Sequence, residues 1–438
     1  MSLHVGDLSM EVTLLGPCRN PSPLALSVED DDYIPNYLED EARVLFTSIH
    51  DREVPDVTEA FEAAGPRRQI YFDPRKIRAG VVTCGGLCPG INNVVTAIVN
   101  ELINEYKVRS VVGFRYGYAG LVASEGYETW DLTPEFTRNW NLKGGSMLGS
   151  SRGPQSPEEM LDTLEQLNIN MLFTIGGDGT LKGARAMFEA AQARGSRIAI
   201  VGVPKTIDND IPFIKRTFGF ETAVSKAAEA IQAALIEAEG APRGVGLVRL
   251  MGRHSGYIAA HAALAAGHVD VVLVPESPFR LEGENGLYEV LERRLQKQGH
   301  AVIVVAEGAG QELFDEKDMS RDASGNRKLN DIGRHLGDVL IAHFKSRKHP
   351  LNLKYIDPSY IIRAMPASPT DAIFCRRLGE NAVHAAMAGR TGLVVGLWSD
   401  HFTHVPLAAA TSHSKRIDPD GELWRSVLQM TGQPPRML

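Results

Sequence analysis

From Ile77 onward, short and almost wholly apolar runs alternate with stretches of helical periodicity, and glycine-rich turns follow several of the runs. That alternation reads as βαβ units and a mainly parallel sheet, because crossover helices cover both faces and leave the strands no polar side. IRAGVVTC (77–84) predicts the first strand, GGLCPG (85–90) its turn, INNVVTAIVNELINEY (91–106) a helix and RSVVGFR (109–115) a second strand. SPEEMLDTLEQL predicts a helix with Ser156 as N-cap, Pro157 at the first position and Glu159 completing a capping box. INMLFTI, the turn GGDGT (176–180) and a helix from Leu181 follow, and then the strand RIAIVGVP runs into KTIDNDI. The grammar repeats with a long helix from Glu221, strands VGLVRL, VDVVLVP and AVIVVAEG, and helices beginning near Asn285 and Leu329. YIDPSYIIRA, a helix from Ser368 and the strand TGLVVGLW close the pattern. The fold class expected is α/β, with two doubly wound lobes, mainly parallel in their sheets, facing a cleft. In such sheets ligands sit beyond the carboxyl ends of the strands.

Residues 1–76 read differently. Pro21, Pro23, an acidic run at Glu29–Asp32 and DREVPD around Asp51 interrupt any period, and only ARVLFTS alternates. This predicts an extension lying over the main domain. The expected lobes are 77–218 with about 364–400, and 219–363 with about 401–438. With 438 residues the chain has ample length for a buried core. Its net charge of −8 argues against a nucleic-acid or anionic-membrane partner. No apolar run approaches the ~18 residues of a membrane span, and no signal-peptide pattern opens the chain. Cys18, Cys84, Cys88 and Cys375 show no metal or redox spacing, which fits a reducing cytoplasm.

The strand-end loops carry the chemistry. Gly85 to Gly90 lets backbone approach a phosphate at a helix start. In Gly176-Gly177-Asp178-Gly179-Thr180 one carboxylate stands among glycines, placed to position magnesium against a polyphosphate. Pro204-Lys205-Thr206-Ile207-Asp208-Asn209-Asp210 holds two aspartates two residues apart; one suits the proton of an attacking hydroxyl and the other a place near the metal. Met251-Gly252-Arg253-His254-Ser255-Gly256 offers a guanidinium for a phosphate ester. Glu307 suits sugar hydroxyls, Tyr360 and Arg363 pair a hydroxyl with a cation, and Arg152 in LGSSRGP stands ready to flank a nucleotide.

In this order GGLCPGIN, LGSSRG, IGGDGT, PKTIDND, MGRHSGYIA, AEGAG and YIDPSYIIRA resemble the phosphofructokinases, over about Ile77 to Asp400. The resemblance implies two Rossmann-like lobes, with ATP and magnesium bound mainly by the first and fructose 6-phosphate between the two. It implies that Gly86, Arg152, Gly153, Gly177, Asp178, Gly179 and Thr180 line the donor, with Asp178 on the metal. Asp208 would be the base on the sugar's 1-hydroxyl, assisted by Lys205 and Arg253. Thr206, Ile207, Met251, Gly252, Arg253, Glu307, Tyr360 and Arg363 would hold the sugar phosphate. A homo-oligomer, dimer or tetramer, is expected.

The family includes ATP users and pyrophosphate users. The latter carry a second aspartate in the glycine loop and a lysine before TIDND, whereas compact ATP enzymes carry glycine at both positions. Here they are Gly179 and Lys205. Glycine leaves open the space an α-phosphate needs, so the expected donor is ATP, in a long branch related to the pyrophosphate enzymes; the alternative is a pyrophosphate-dependent phosphotransferase. Lipid and NAD kinases share GGDGT but not PKTIDND or MGRHSG, and the intact Asp178, Asp208 and Arg253 speak against a catalytically dead regulatory subunit.

Overall fold

The computed structural model describes residues 8–47, 60–314 and 328–437. Two sheets organise them. The larger has nine strands in the order Arg43–Leu45, Ala60–Ala63, His401–Pro406, Leu393–Trp398, Ala199–Pro204, Met171–Gly176, Arg78–Thr83, Ser110–Phe114 and Thr129–Asp131. Its five inner strands, from Leu393–Trp398 to Ser110–Phe114, run parallel. The strands outside them are antiparallel. Every residue of Met171–Gly176 and Ala199–Pro204 is buried, which is why these runs show no polar alternation. The smaller sheet is wholly parallel: Val271–Leu273, His300–Ala306, Gly244–Leu250 and Asn352–Ile356. The expected α/β architecture is present.

The strand order fixes where a ligand can sit. After Arg78–Thr83 the chain moves to one side of that strand, and after Met171–Gly176 to the other. Their following loops therefore diverge and leave a crevice. In the smaller sheet the chain passes from Gly244–Leu250 to Val271–Leu273 beyond His300–Ala306, and from His300–Ala306 to Asn352–Ile356 beyond Gly244–Leu250, so those two connections cross.

Three expectations are corrected. The helix predicted over 91–106 is α-helical only from Ile91 to Asn100, and widens into a π turn over Glu101–Glu105, after which the buried Tyr106 hydroxyl meets His384 at 2.9 Å. The segment GGDGT is not all turn: the helix Asp178–Arg194 already contains Asp178, Gly179 and Thr180. The N-terminal extension does not merely lie over the domain. Ala60–Ala63 pairs with His401–Pro406 and extends the larger sheet, and Thr13–Leu14 pairs with Arg390–Thr391. Strands of two to four residues are too short for alternation to register. Asp51 and its neighbours lie outside the described residues. Of 401–438, the strand His401–Pro406 joins the larger sheet, while the helix Glu422–Thr431 packs on Tyr257–Ala266 beside the smaller one.

Charge fastens the extension. Arg67, only 2% exposed, meets Asp40 at 3.0 Å and Glu62 at 3.3 Å. Arg390 also pairs with Asp40 and Glu62, and His404 Nδ1 lies 3.1 Å from Glu62. Burial alone would raise the Glu62 carboxyl, but His404 and Arg390 outweigh it and hold it at about 2. Removing one partner of such a cluster leaves buried charge uncompensated. Glu62→Gln is therefore expected to lower unfolding free energy by about 3 kcal/mol, read from the denaturation midpoint. Because the folded carboxyl titrates below its ordinary value, its stabilisation is complete above pH about 4.5 and lost as pH falls towards about 2. A Glu62→Gln variant that keeps the wild-type acid profile and midpoint would contradict this.

Candidate active site

The loops at the crevice of the larger sheet meet the loop that follows Gly244–Leu250 on the smaller sheet. On the larger sheet, Gly85 at φ +81° and Gly90 at φ +101° shape the turn before the helix Ile91–Asn100, a backbone that side chains rarely adopt. The Gly85 N–H donates to the Ser151 carbonyl at 3.1 Å, and Ser150 Oγ donates to the Gly85 carbonyl at 2.5 Å. This brings the 150–153 loop against the first turn. A Cβ on Gly86 would stand 3.3 Å from Arg152 Nη2, so the guanidinium lies over bare backbone.

Gly177 is the N-cap of the next helix and supplies no side-chain cap. The first helical bond runs from Leu181 N–H to the Gly177 carbonyl at 2.9 Å. The N–H groups of Asp178, Gly179 and Thr180 thus precede the helical ladder, and a helix start with glycines is suited to phosphate. Nothing lies within 4 Å of a Cβ built on Gly179. The Asp178 carboxylate is 44% exposed and accepts from Lys182 at 2.8 Å, an i,i+4 pair on the helix surface.

Lys205 follows Ala199–Pro204 and is 5% exposed. Its ammonium donates to the Gly86 carbonyl at 2.6 Å, joining the third loop to the first. Burial lowers its pKa, partly opposed by the neighbouring Cys88 and Cys84. Thr206 Oγ1 donates to Asp210 at 2.8 Å and accepts from the Asp208 N–H at 3.2 Å, so one hydroxyl ties the two ends of the aspartate turn together. Asn209 closes it in the left-handed region at φ +53°.

Asp208 is where the two sheets meet. Its Oδ2 accepts from the Arg253 N–H at 3.4 Å, and Ser255 Oγ donates to its carbonyl at 2.9 Å. Oδ1 is buried with no hydrogen-bond partner among the described residues. Burial raises this carboxyl first, Asp210 and Glu307 add to it, and the group is pushed up to about 8. Close packing of the Arg253 loop demands glycine: Gly252 has φ +126°, and a Cβ on Gly308 would stand 2.0 Å from the Arg253 carbonyl.

The remaining predicted residues divide. Met251 and Ile207 are buried, and Arg363 turns inward, its Nε 3.3 Å from Met251 Sδ. Arg363 and Arg152 are both near enough to act on Lys205 electrostatically. Glu307 is held by Arg249 at 2.9 Å, and Arg249 is shared with Asp357 at 2.7 Å, so this carboxylate already has its cation. Tyr360 sits on the short helix Ser359–Ala364, not in a strand-end loop, and is 84% exposed. Cys84 and Cys88 are buried, and burial pushes both thiols up to about 12, as suits packing residues. Among the described residues no cluster of three His, Cys, Asp or Glu side chains is built to hold a metal, and no helix is long and apolar enough to cross a membrane. A cavity of about 550 Å3 lies elsewhere, at the amino ends of Arg78–Thr83 and Ser110–Phe114, among Arg75, Arg78, Arg109 and Asp131. It shares no residue with these loops.

Sequence reasoning misses Ser255 and Lys415. Ser255 stands inside a glycine-punctuated string in which the arginine draws the eye. Lys415 stands in SHSKRIDPD, a polar stretch without period, and nothing local marks it as packed, half-buried, against the aspartate turn.

The phosphofructokinase family profile matches residues 78–386. An ATP-dependent 6-phosphofructokinase of Amycolatopsis methanolica is 48% identical over 99% of this chain and 96% of its own. One of Trypanosoma brucei brucei is 48% identical over 84% of this chain and 76% of its own. A pyrophosphate-dependent phosphofructokinase from Marinobacter aquaeolei superposes with a TM-score of 0.67 over 81% of this chain and 91% of that one, at 23% identity. Profile, near-full-length relatives and two facing α/β lobes agree: this chain belongs to the phosphofructokinase family.

Proposed function

We propose that this protein transfers the terminal phosphoryl group of ATP to the 1-hydroxyl of D-fructose 6-phosphate, giving fructose 1,6-bisphosphate and ADP. The observation that carries the reading is Asp208: a buried carboxyl with one unpartnered oxygen, between a glycine-framed helix start and an arginine loop from the other sheet. The 1-hydroxyl oxygen attacks the γ-phosphorus while its proton passes to Asp208. The bond from that phosphorus to the β,γ-bridging oxygen breaks, and ADP leaves. Positioning and charge stabilisation do most of the work in such a transfer. The N–H groups at Asp178–Thr180 and the Arg152 guanidinium cradle the polyphosphate. Lys205, fixed on the Gly86 carbonyl, faces the transferred group. Arg253 and Arg363 take the 6-phosphate.

A magnesium ion, when bound with the nucleotide, supplies neutralisation of phosphate charge. Asp178 fits it: a half-exposed carboxylate beside bare glycine backbone matches an ion that takes one or two carboxylates and fills its other positions with phosphate oxygens and water.

The direct test offers ATP and pyrophosphate in turn with fructose 6-phosphate and magnesium. ATP-supported formation of the bisphosphate is expected. Turnover with pyrophosphate alone would make pyrophosphate the donor, in keeping with a lysine at position 205. Replacing Arg253 or Arg363 by Ala is expected to raise KM for fructose 6-phosphate by about 10- to 100-fold, the scale of one or two charge-assisted hydrogen bonds. KM for ATP should change little. A shift confined to the nucleotide would place these arginines in the other subsite.

A further inference from the structure

The segment Lys415–Ile417 joins both loops of the site. The Lys415 N–H donates to the Asp210 carbonyl at 2.7 Å. Its ammonium donates to the Ile214 carbonyl at 2.6 Å, and to the Lys215 carbonyl and Asn209 Oδ1 at 3.2 Å each. All three acceptors belong to the loop that leaves the larger sheet. The next two residues bind the other side. Tyr257 Oη donates to the Arg416 carbonyl at 2.8 Å, and the Ile417 N–H donates to Glu276 at 2.9 Å. The same Glu276 carboxylate accepts the Gly256 N–H at 3.0 Å, at the end of the Arg253 loop. Three consecutive residues thus hold the Asp208 turn and the Arg253 loop at a fixed separation.

Resting on the reading of Asp208 as the proton acceptor, we propose that Lys415 is a positioning residue for the reaction: its ammonium, set among oxygen acceptors as a bound monovalent cation would be, fixes the turn that aims Asp208. Asn209 is the link. Its side-chain oxygen also accepts from the Thr217 N–H at 3.1 Å, and its backbone sits at φ +53°. Without the ammonium, the Ile214 carbonyl and Asn209 Oδ1, whose bonds to it are half-buried, and the more exposed Lys215 carbonyl lose a charged donor, and the strained turn loses what over-determines it. Asp208 is the neighbour of Asn209 and feels that loss directly. Only the backbone bond from residue 415 to the Asp210 carbonyl then still ties this segment to the aspartate turn, and the separation of the two loops is set less firmly.

The test is steady-state kinetics of Lys415→Ala and Lys415→Arg in the full chain, with thermal unfolding in parallel. For the alanine variant kcat is expected to fall by about 10²-fold, the scale of ångström misplacement of a reacting group, with KM for ATP nearly unchanged. Arginine, which keeps the charge and its donors, is expected to recover part of kcat. Added ethylamine or propylamine, whose ammonium can occupy the vacated position, should raise kcat of the alanine variant saturably and leave wild type unaffected. An alanine variant with wild-type kcat overturns the proposal. So does a loss of kcat explained wholly by the unfolded fraction, with no response to amine or arginine. If Asp208→Asn is fully active, the reading of Asp208 fails instead, whatever Lys415 does.

Discussion

Asp208→Asn is expected to lower kcat by about 10²- to 10⁴-fold, the contribution of a positioned general base, with KM for fructose 6-phosphate changed little. Asparagine keeps the shape and can still accept from the Arg253 N–H, but it cannot take a proton at the unpartnered position. The pH profile adds a second reading of the same group. Burial, then Asp210 and Glu307, push the free protein's carboxyl up to about 8. The base form is therefore scarce in acid, and kcat/KM is expected to rise with pH through about 8. The Asp210 charge is one of the causes, so Asp210→Asn should move the ascending limb to lower pH. The same shift weakens folding as pH rises from about 4 towards about 8, because the native state holds a proton that the unfolded chain releases. Near-normal turnover in the asparagine variant, or a limb that ignores Asp210, would remove Asp208 from the role of base.

Legibility in the sequence varies with the kind of signal. The inner strands are clear, because burial on both faces writes itself as uninterrupted apolar runs such as MLFTI and AIVGV. The loops are clear for a related reason: glycines needed for close approach stand in the sequence at Gly85, Gly177 and Gly252. The strands of the extension are not, since two to four residues carry no period, and two of these strands find partners hundreds of residues away. Charge partners are equally silent. No spacing announces the Arg249 partner that Glu307 has, or the short helix on which Tyr360 stands 84% exposed. Lys415 shows the limit most plainly, because its role comes from four bonds to residues about 200 positions earlier.

Gly179→Asp is expected to abolish most ATP use. The reason is space and charge. A nucleotide extends past its two terminal phosphates to an α-phosphate and a ribose, whereas pyrophosphate stops short. Beside Asp178, glycine leaves that path open: no atom lies within 4 Å of where its Cβ would be. The same openness means that an aspartate fits without strain. Position 179 is the second residue of the helix Asp178–Arg194, where a carboxylate is favoured by the helix dipole. The variant should thus fold at least as stably as wild type, and lost activity reports on the donor alone. A carboxylate at ~4 Å from a phosphate is repelled by about 4 kcal/mol at an effective dielectric of 20. Uncompensated, that lowers kcat/KM for ATP by about 10³-fold. Pyrophosphate does not reach the position, and Lys205, fixed beside the glycine turns, remains to neutralise a leaving phosphate. The quantity to measure is kcat/KM of both proteins with both donors. A rise of the pyrophosphate-to-ATP ratio with an unchanged unfolding temperature is the expected result; a variant that keeps full ATP activity would show that the α-phosphate runs elsewhere.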